Sequence, residues 1–438
     1  MASPGEGLPV GAEVEVDVTA FAHGGHAVAR HEGQVLFVRH ALPGERVRAL
    51  VTSAGAGERF LRADAVSVLS ASPDRVEPPC PWAVPGGCGG CDLQHVSLAG
   101  QRALKAGVVR EQLSRLARLE VDVEVEAVPG DDAGLDWRTR VEFAVDDSGR
   151  AGLRRYRSHD VVPVDHCRIA APGVDRLRVT EGSWDGAEAV DAVAPSVGEP
   201  VVVRVPEDGA GPVVRERVAT SWTGPDGATV TFDRTFDVDA RGFWQVHPGA
   251  APTFLAAVMG ELGVREGERV LDLYCGVGLF TAALAEAVGP SGQVVAVEAD
   301  AAATDHARTN LADHPQVAVL TARVDDAFGV ARPVRRGPSR RTGRPRAAAR
   351  SPLVPPTADV VVLDPPRSGA GRGVCAEVAR LRARVIVYVA CDPAALARDT
   401  AALVEAGYRL DRLRAFDAFP MTHHVECVAT FRPAEGGR

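Results

Sequence analysis

The chain has 438 residues, of which 46% are hydrophobic and 24% charged, and its formal net charge is −9. That length exceeds one ordinary core, so two or three domains are expected, and the composition is that of a globular protein. No apolar run approaches the ~20 residues of a membrane span, and the acidic balance argues against a wholly basic nucleic-acid binder while leaving room for local patches.

The start, Met1-Ala2-Ser3-Pro4-Gly5-Glu6, lacks the basic and apolar stretches of a signal peptide, so a cytoplasmic enzyme with no membrane partner is expected. Lys105 is the only lysine. With abundant Ala, Gly, Val and Pro, this reads as codon bias of a GC-rich genome. Eight cysteines in a reducing compartment point to metal or catalysis rather than disulfides.

From about residue 10 to 70, apolar positions alternate through Val14, Val16 and Val18, then Val35, Phe37 and Val38, then Val47, Ala49 and Val51. Gly24-Gly25, Gly33 and Pro43-Gly44-Glu45 punctuate them as turns. The pattern predicts a small antiparallel OB-like barrel over 9–70, the size of a nucleic-acid module. A Pro-, Gly- and Cys-rich loop runs from Pro73 to Cys91. Helical spacing follows from Leu98 to Leu119, with Leu104, Val108, Leu113 and Leu116 on one face. Strand patterns return from about 120 to 245, as in Arg140–Val145 and Val201–Val205, giving a mainly β central domain over 71–250.

From 251 to 438, apolar strands alternate with helices: Arg269–Leu273, Gln293–Val297, Asp359–Leu363 and Arg384–Val389, with a helix over Thr281–Val288. Strands without polar alternation predict a parallel sheet covered on both faces, an α/β Rossmann-like domain. Residues 332–357, rich in Arg, Pro, Gly and Ala, predict a disordered basic insertion.

Asp272-Leu273-Tyr274-Cys275-Gly276-Val277-Gly278-Leu279-Phe280 follows a strand and opens a helix, and its glycines let a ligand approach the backbone. The next strand ends in Glu298, placed to accept from ribose hydroxyls. A dinucleotide fingerprint wants a third Gly where this chain has Thr281, and the acidic strand end Asp272 also favours S-adenosylmethionine. Asp364-Pro365-Pro366-Arg367 ends a later strand at the sheet edge where ligands of open α/β sheets bind. Cys391, in Tyr388-Val389-Ala390-Cys391-Asp392-Pro393, ends another, and the following helix N-terminus is expected to favour its thiolate. A thiolate in a methyltransferase fits addition to C6 of uracil, which makes C5 nucleophilic and later requires a base to remove the C5 proton. Pro420-Met421-Thr422-His423-His424-Val425-Glu426 offers Glu426 as that base, with His424 its rival.

Cys80, Cys88 and Cys91 sit in one loop, and Cys167 follows Val164-Asp165-His166. By spacing, four thiolates suit a [4Fe–4S] cluster or a tetrahedral zinc about equally.

These elements together resemble the RNA uracil-C5 methyltransferase family along nearly the full length. The matching segments are Gly242-Phe243-Trp244-Gln245-Val246, Asp272–Phe280, Glu298, Asp364–Arg367, Ala390-Cys391-Asp392-Pro393 and His423-His424-Val425-Glu426. The resemblance implies that Gln245, Tyr274, Glu298 and Asp364 contact the methyl donor or target base, that Cys391 is the nucleophile and Glu426 the base, and that the four cysteines hold a [4Fe–4S] cluster. Phe37-Val38 and Leu42-Pro43-Gly44-Glu45 resemble the TRAM domain, implying an RNA grip and flipping of the target base. The implied substrate is 23S rRNA, with tRNA the alternative, and the protein is expected to be a monomer. A catalytically silent RNA-binding protein or chaperone is the reading from another class; intact Cys391 and Glu426 argue against it. The family usually has Asn where this chain has His247 and Leu279.

Overall fold

The computed structural model describes residues 8–53, 60–206, 211–331 and 349–434. Five strands, β1 (Glu13–Ala22), β2 (His26–His31), β3 (Gln34–Arg39), β4 (Arg46–Ser53) and β5 (Phe60–Ser70), close a barrel in the order β1-β2-β3-β5-β4. The alternating residues Val16, Val18, Leu36, Val38, Val47, Ala49 and Val51 fill its interior. The expected all-antiparallel barrel is corrected at one seam, where β3 pairs with β5 in parallel. Five strands are an odd number, so the ring cannot close with every neighbour reversed.

After the cysteine-rich loop, Ser97 caps α1 (Leu98–Gln112) by accepting from the Gly100 amide at 3.1 Å. The helix ends in a π-turn, Leu113–Ala117, and Arg118 in the left-handed region. Val108 and Leu113 are buried as the spacing predicts, but Leu116 is exposed. The wider π-turn rotates it off the apolar stripe.

The strands β6 (Val125–Ala127), β7 (Arg140–Val145), β8 (Ala151–Arg154) and β9 (Val161–Val162) precede the single turn α2 (Pro172–Asp175), and β10 (Ala189–Val193) and β11 (Val201–Val205) follow it. They build an antiparallel sheet of order β11-β10-β7-β8-β9, from which β6 is absent. A long hairpin, β12 (Val213–Thr223) with β13 (Thr229–Asp239), completes this half.

The remaining elements are α3 (Ala250–Leu262), β14 (Arg269–Leu273), α4 (Leu279–Val288), β15 (Gln293–Glu298), α5 (Ala301–Asn310), β16 (Val317–Thr321), α6 (Val324–Ala327), β17 (Val360–Leu363), α7 (Arg372–Arg380), β18 (Val385–Ala390), α8 (Pro393–Glu405), β19 (Tyr408–Asp417) and β20 (Glu426–Pro433). They form an eight-stranded sheet of order β16-β15-β14-β17-β18-β20-β19-β6. The expectation of a parallel sheet holds from β16 to β18. It is corrected at β20, which runs antiparallel to both β18 and β19.

Packing crosses the expected division at residue 250. Ala106, Val109 and Leu113 of α1 and Val125 of β6 share one core with Leu271, Leu363, Ile386 and Phe431. Phe232 and Phe236 of the hairpin share another with Phe254 and Leu284. The expected insertion is also narrowed. Residues 332–348 lie outside the described residues, but 349–357 are folded: Val354 is 4% exposed, and the Arg350 guanidinium sits 5.4 Å from the Phe328 ring centre. The sole lysine is not a mere relic of codon bias. Lys105 is fully buried, with Nζ 2.5 Å from Asp417 Oδ1 and 3.0 Å from the Phe419 carbonyl. Among the described residues no helix is long and apolar enough to cross a membrane.

Candidate active site

β14 lies where the strand order reverses, between β15 and β17, so a crevice opens beyond the carboxyl ends of these strands. The chain turns there through Tyr274 (φ +67°), Gly276 (φ +54°) and Gly278 (φ +95°), and the amides of Tyr274 and Cys275 both donate to the Val297 carbonyl at 2.8 and 3.1 Å. Glu298 is held from below: Oε2 accepts from the Gly276 amide at 3.1 Å, and Oε1 from Ala299 and Asp300 at 2.6 and 2.9 Å.

Asp272 is fully buried at the end of β14. Thr281 Oγ1 donates to its Oδ2 at 2.5 Å, while Oδ1 has no partner among the described residues. Burial, reinforced by Glu298, pushes its carboxyl up to about 7 despite the Thr281 bond. Asp364, at the tip of β17, is likewise pushed up to about 7 by burial and by the charges of Asp272 and Glu298. Three carboxyls thus act on one another at the carboxyl ends of these strands, and one Asp272 oxygen is buried without a partner among the described residues. A ligand bearing a sulfonium and an ammonium matches that charge. Tyr274 lines the same turn half-buried, its hydroxyl pushed up by burial. Gln245 stands apart. It is half-buried on the segment between β13 and α3, which is tethered by the Thr139 amide and hydroxyl to the Val246 carbonyl at 2.8 and 3.0 Å.

Cys391 and Glu426 meet through strand register. The β18–β20 ladder ends at the pair Ala390 and Cys427, Cys391 follows Ala390 as Glu426 precedes Cys427, and the charge of Glu426 acts on the Cys391 thiol. Glu426 is 3% exposed, and burial followed by the charge of Asp364 pushes its carboxyl well up. The expected helix-stabilised thiolate is corrected: burial, then Glu426 and Asp364, push the Cys391 thiol up to about 12. Asp392 rather than the sulfur uses the helix end, its Oδ1 accepting from the Ala395 amide at 2.7 Å as N-cap of α8. His424, the rival base, is driven down to about 3 by burial and by the charges of His423 and Arg367. A neutral imidazole of that pKa is a feeble proton acceptor.

Several residues that sequence reasoning missed hold this site in place. Asp399 of α8, 4% exposed, accepts from the Ala370 and Gly371 amides at 2.7 and 3.1 Å and from the Tyr388 hydroxyl at 2.7 Å. It thereby ties the loop after Asp364 to the strand that ends in Cys391. Gln101 of α1 accepts from the Met421 amide at 2.8 Å, and the Asp92 and Leu93 amides donate to the Met421 carbonyl at 3.0 and 2.9 Å. Asp92 Oδ2 lies 2.5 Å from His423 Nδ1. A lone lysine and polar residues within an otherwise apolar helix stripe were the only traces of this network in the sequence.

Cys80, Cys88, Cys91 and Cys167 are all half-buried. Burial raises the Cys91 thiol first, and the charges of Cys167, Cys88 and Cys80 add to the rise. Burial likewise raises Cys167, to about 11, with Cys88 adding. The four sulfurs therefore sense one another, and an all-thiol donor set suits a thiophilic metal or cluster. Among the described residues, however, no group of three or more Cys, His, Asp or Glu stands in metal-holding geometry. Cys275, Cys375 and Cys427 are buried, as small core residues are.

A family model described as tRNA (uracil-5-)-methyltransferase matches residues 254–432, and a TRAM domain model matches 8–66. An "uncharacterized RNA methyltransferase" of Streptomyces avermitilis is 47% identical, covering 98% of this chain and 100% of that protein. The 23S rRNA (uracil(1939)-C(5))-methyltransferase RlmD of Cronobacter sakazakii is 33% identical over 93% of each chain, and that of Thiobacillus denitrificans 30% over 95% and 99%. Among solved structures, the Pyrococcus abyssi tRNA (uracil-54, C5)-methyltransferase in complex with S-adenosyl-L-homocysteine superposes with a TM-score of 0.62, covering 95% of this chain and 99% of that one. At 22% identity that likeness concerns the fold.

Proposed function

Because the chain belongs to the RNA (uracil-5-)-methyltransferase family, we propose that it transfers a methyl group from S-adenosylmethionine to uridine C5 in 23S rRNA, with Cys391 as nucleophile and Glu426 as base. The observation that supports this reading is that Cys391 follows the end of β18 within electrostatic reach of both Glu426 and Asp364. The near-full-length relatives named for 23S rRNA favour that RNA over tRNA.

In this reading Glu298 accepts from the donor's ribose, and the unpaired Asp272 oxygen and Asp364 balance its positive charge. Tyr274, on the turn after β14, flanks the donor, and Gln245, which stands apart in the RNA-free protein, is assigned a contact to the target base from the family resemblance alone. Cys391 gives its proton to solvent water, and the thiolate forms a bond to C6 of the flipped uracil while the C5–C6 pair moves onto C5 and the C4 carbonyl as an enolate. C5 then attacks the donor methyl carbon, and the carbon–sulfur bond of the donor breaks to leave S-adenosylhomocysteine. Ionised Glu426 takes the C5 proton, and the electron pair re-forms the C5–C6 double bond as the C6–sulfur bond breaks. Burial pushes both the Cys391 thiol and the Glu426 carboxyl up, so the sulfonium and Arg367 supply positive charge that favours their ionised forms.

Residues 9–70 serve as an RNA-gripping barrel, 71–250 as a second RNA-binding part, and 251–438 as the donor-binding part of a cytoplasmic monomer. Cys80, Cys88, Cys91 and Cys167 are the ligands we assign to a [4Fe–4S] cluster, whose role is structural or RNA-positioning rather than redox catalysis. The support is the all-sulfur donor set, three of whose members share one loop. Anaerobic purification tests it by iron and sulfide content, and stoichiometric zinc in their place sinks it.

The main reading is tested by mapping 5-methyluridine in 23S rRNA and tRNA from cells with and without the gene. Loss confined to tRNA overturns the rRNA assignment. Cys391→Ala that still methylates overturns the covalent route. Glu426→Gln is expected to accumulate a denaturant-stable protein–RNA adduct.

A further inference from the structure

The cavity in front of Cys391 is walled by two distant parts of the chain. One wall is Arg367, Cys391, His424 and Val425; the other is the β1–β2 turn of the barrel, Phe21 to Gly25. His23 Nε2 lies 3.0 Å from Asp392 Oδ2, the residue that caps α8 directly after the cysteine. Gly24 and Gly25 both lie in the left-handed region, at φ +92° and +80°. A Cβ on Gly25 would stand 2.9 Å from His423 Nδ1, so only glycine lets the turn approach the loop that leads to Glu426 this closely.

The rest of the barrel is fastened separately. His26 Nε2 is 2.8 Å from the Tyr156 hydroxyl, and the Arg39 guanidinium lies 3.8 Å from the Tyr156 ring centre. The turn is therefore a projection from a fixed body, and its latch residue is partly open to solvent, at 38%. The cavity it encloses is about 80 Å³. Ligand pockets ordinarily span roughly 300–1,000 Å³, so a flipped nucleotide does not fit beside the thiol while the turn is seated.

We propose that the β1–β2 turn is a wall of the target-base pocket, latched over Cys391 by His23, and that RNA held by the barrel draws this wall aside to admit the uridine. His23 is a positioning residue: it touches Asp392 rather than the reacting atoms. The device makes access to the nucleophile conditional on engagement of the barrel, so that a loose uridine or a short single strand is refused. This rests on Cys391 being the nucleophile.

The test is the rate of Cys391 alkylation by iodoacetamide in the RNA-free full chain, resolved by peptide mass spectrometry. His23→Ala is expected to raise it about two- to fivefold, the range of a partly exposed polar contact. His23→Gln keeps a donor toward Asp392 and is expected to stay at the wild-type rate with an unchanged melting temperature. In methylation assays, His23→Ala is expected to raise kcat/KM for a short uridine-containing oligonucleotide relative to full-length RNA. An unchanged alkylation rate in His23→Ala, or a Gln variant that reacts like Ala, overturns the proposal. The alkylation readout needs no turnover, so a failure of the wall is distinguishable from a failure of Cys391 as nucleophile, which Cys391→Ala reports.

Discussion

Replacing Lys105 by Met keeps the stem of the side chain and deletes its ammonium. In the native protein that ammonium lies 2.5 Å from Asp417 Oδ1 and 3.0 Å from the Phe419 carbonyl, with the side chains of Lys105 and Asp417 0% and 2% exposed. Asp417 Oδ2 already has no partner among the described residues, so the substitution strands a whole carboxylate in the interior. Breaking a buried pair by removing one partner costs about 3–5 kcal/mol, against a typical total of about 5–15 kcal/mol for folding. Urea unfolding followed by near-ultraviolet circular dichroism is expected to show Lys105→Met lower by about 3–5 kcal/mol. Lys105→Met/Asp417→Leu, which removes both charges, is expected to recover most of that loss. Lys105→Arg is expected to cost about 1–3 kcal/mol through overpacking, since a guanidinium is bulkier than an ammonium. A single variant that loses less than about 1 kcal/mol, or a double variant no better than the single, refutes the assignment of this pair as the anchor of the loop from β19 to β20.

Three further outcomes follow from the crevice. Asp272 sits near 7 in the folded protein against its ordinary 3.8, so its stabilising protonation is complete below about pH 4 and is lost as pH rises through 7. That displacement is worth about 4 kcal/mol, so Asp272→Asn is expected to gain stability on the donor-free wild type as pH rises from 4 to 8; parallel urea midpoints across that range contradict the burial argument. Cys391, pushed up to about 12 by burial and its acidic neighbours, is expected to alkylate faster with S-adenosylmethionine bound than with S-adenosylhomocysteine, because only the former carries a sulfonium; equal rates remove the donor's charge from the activation of the thiol. Asp399→Asn, which disturbs the bonds to Ala370, Gly371 and Tyr388, is expected to lower kcat about ten- to a hundredfold with donor affinity nearly unchanged, as calorimetry and steady-state rates will show; an unchanged kcat removes Asp399 from the positioning of Asp364 and Arg367.

The acidic crevice was legible in the sequence for a simple reason. Strands buried on both faces read as unbroken apolar runs, so the first polar residue after each one, Asp272, Glu298, Asp364 or Cys391, marks the carboxyl edge of the sheet. Direction is invisible to the same signal. β20 is as uniformly buried as its parallel neighbours, and nothing in Glu426–Phe431 reveals that it runs the other way. That reversal is what sets Glu426 against Cys391. Likewise β6 is too short to announce itself, and it joins the edge of the sheet beside β19, nearly 290 residues onward.

The charge state of the thiol was misjudged because it is a tertiary quantity. Local sequence supplied a helix N-terminus, but the very next residue, Asp392, occupies it, and the groups that dominate the sulfur after burial, Glu426 and Asp364, come from two other strands. The turn beside Cys391 has the same character. His23-Gly24-Gly25 reads locally as a hairpin turn, and its meaning lies in a contact with a residue 369 positions away. Whatever makes Cys391 reactive must therefore change at least two things that no local segment controls. Positive charge must offset the surrounding carboxyls, and the barrel turn must leave the space a pyrimidine needs. In the proposed reading the first arrives with the methyl donor and the second with the RNA, so the half-buried thiol gains reactivity only when both are bound.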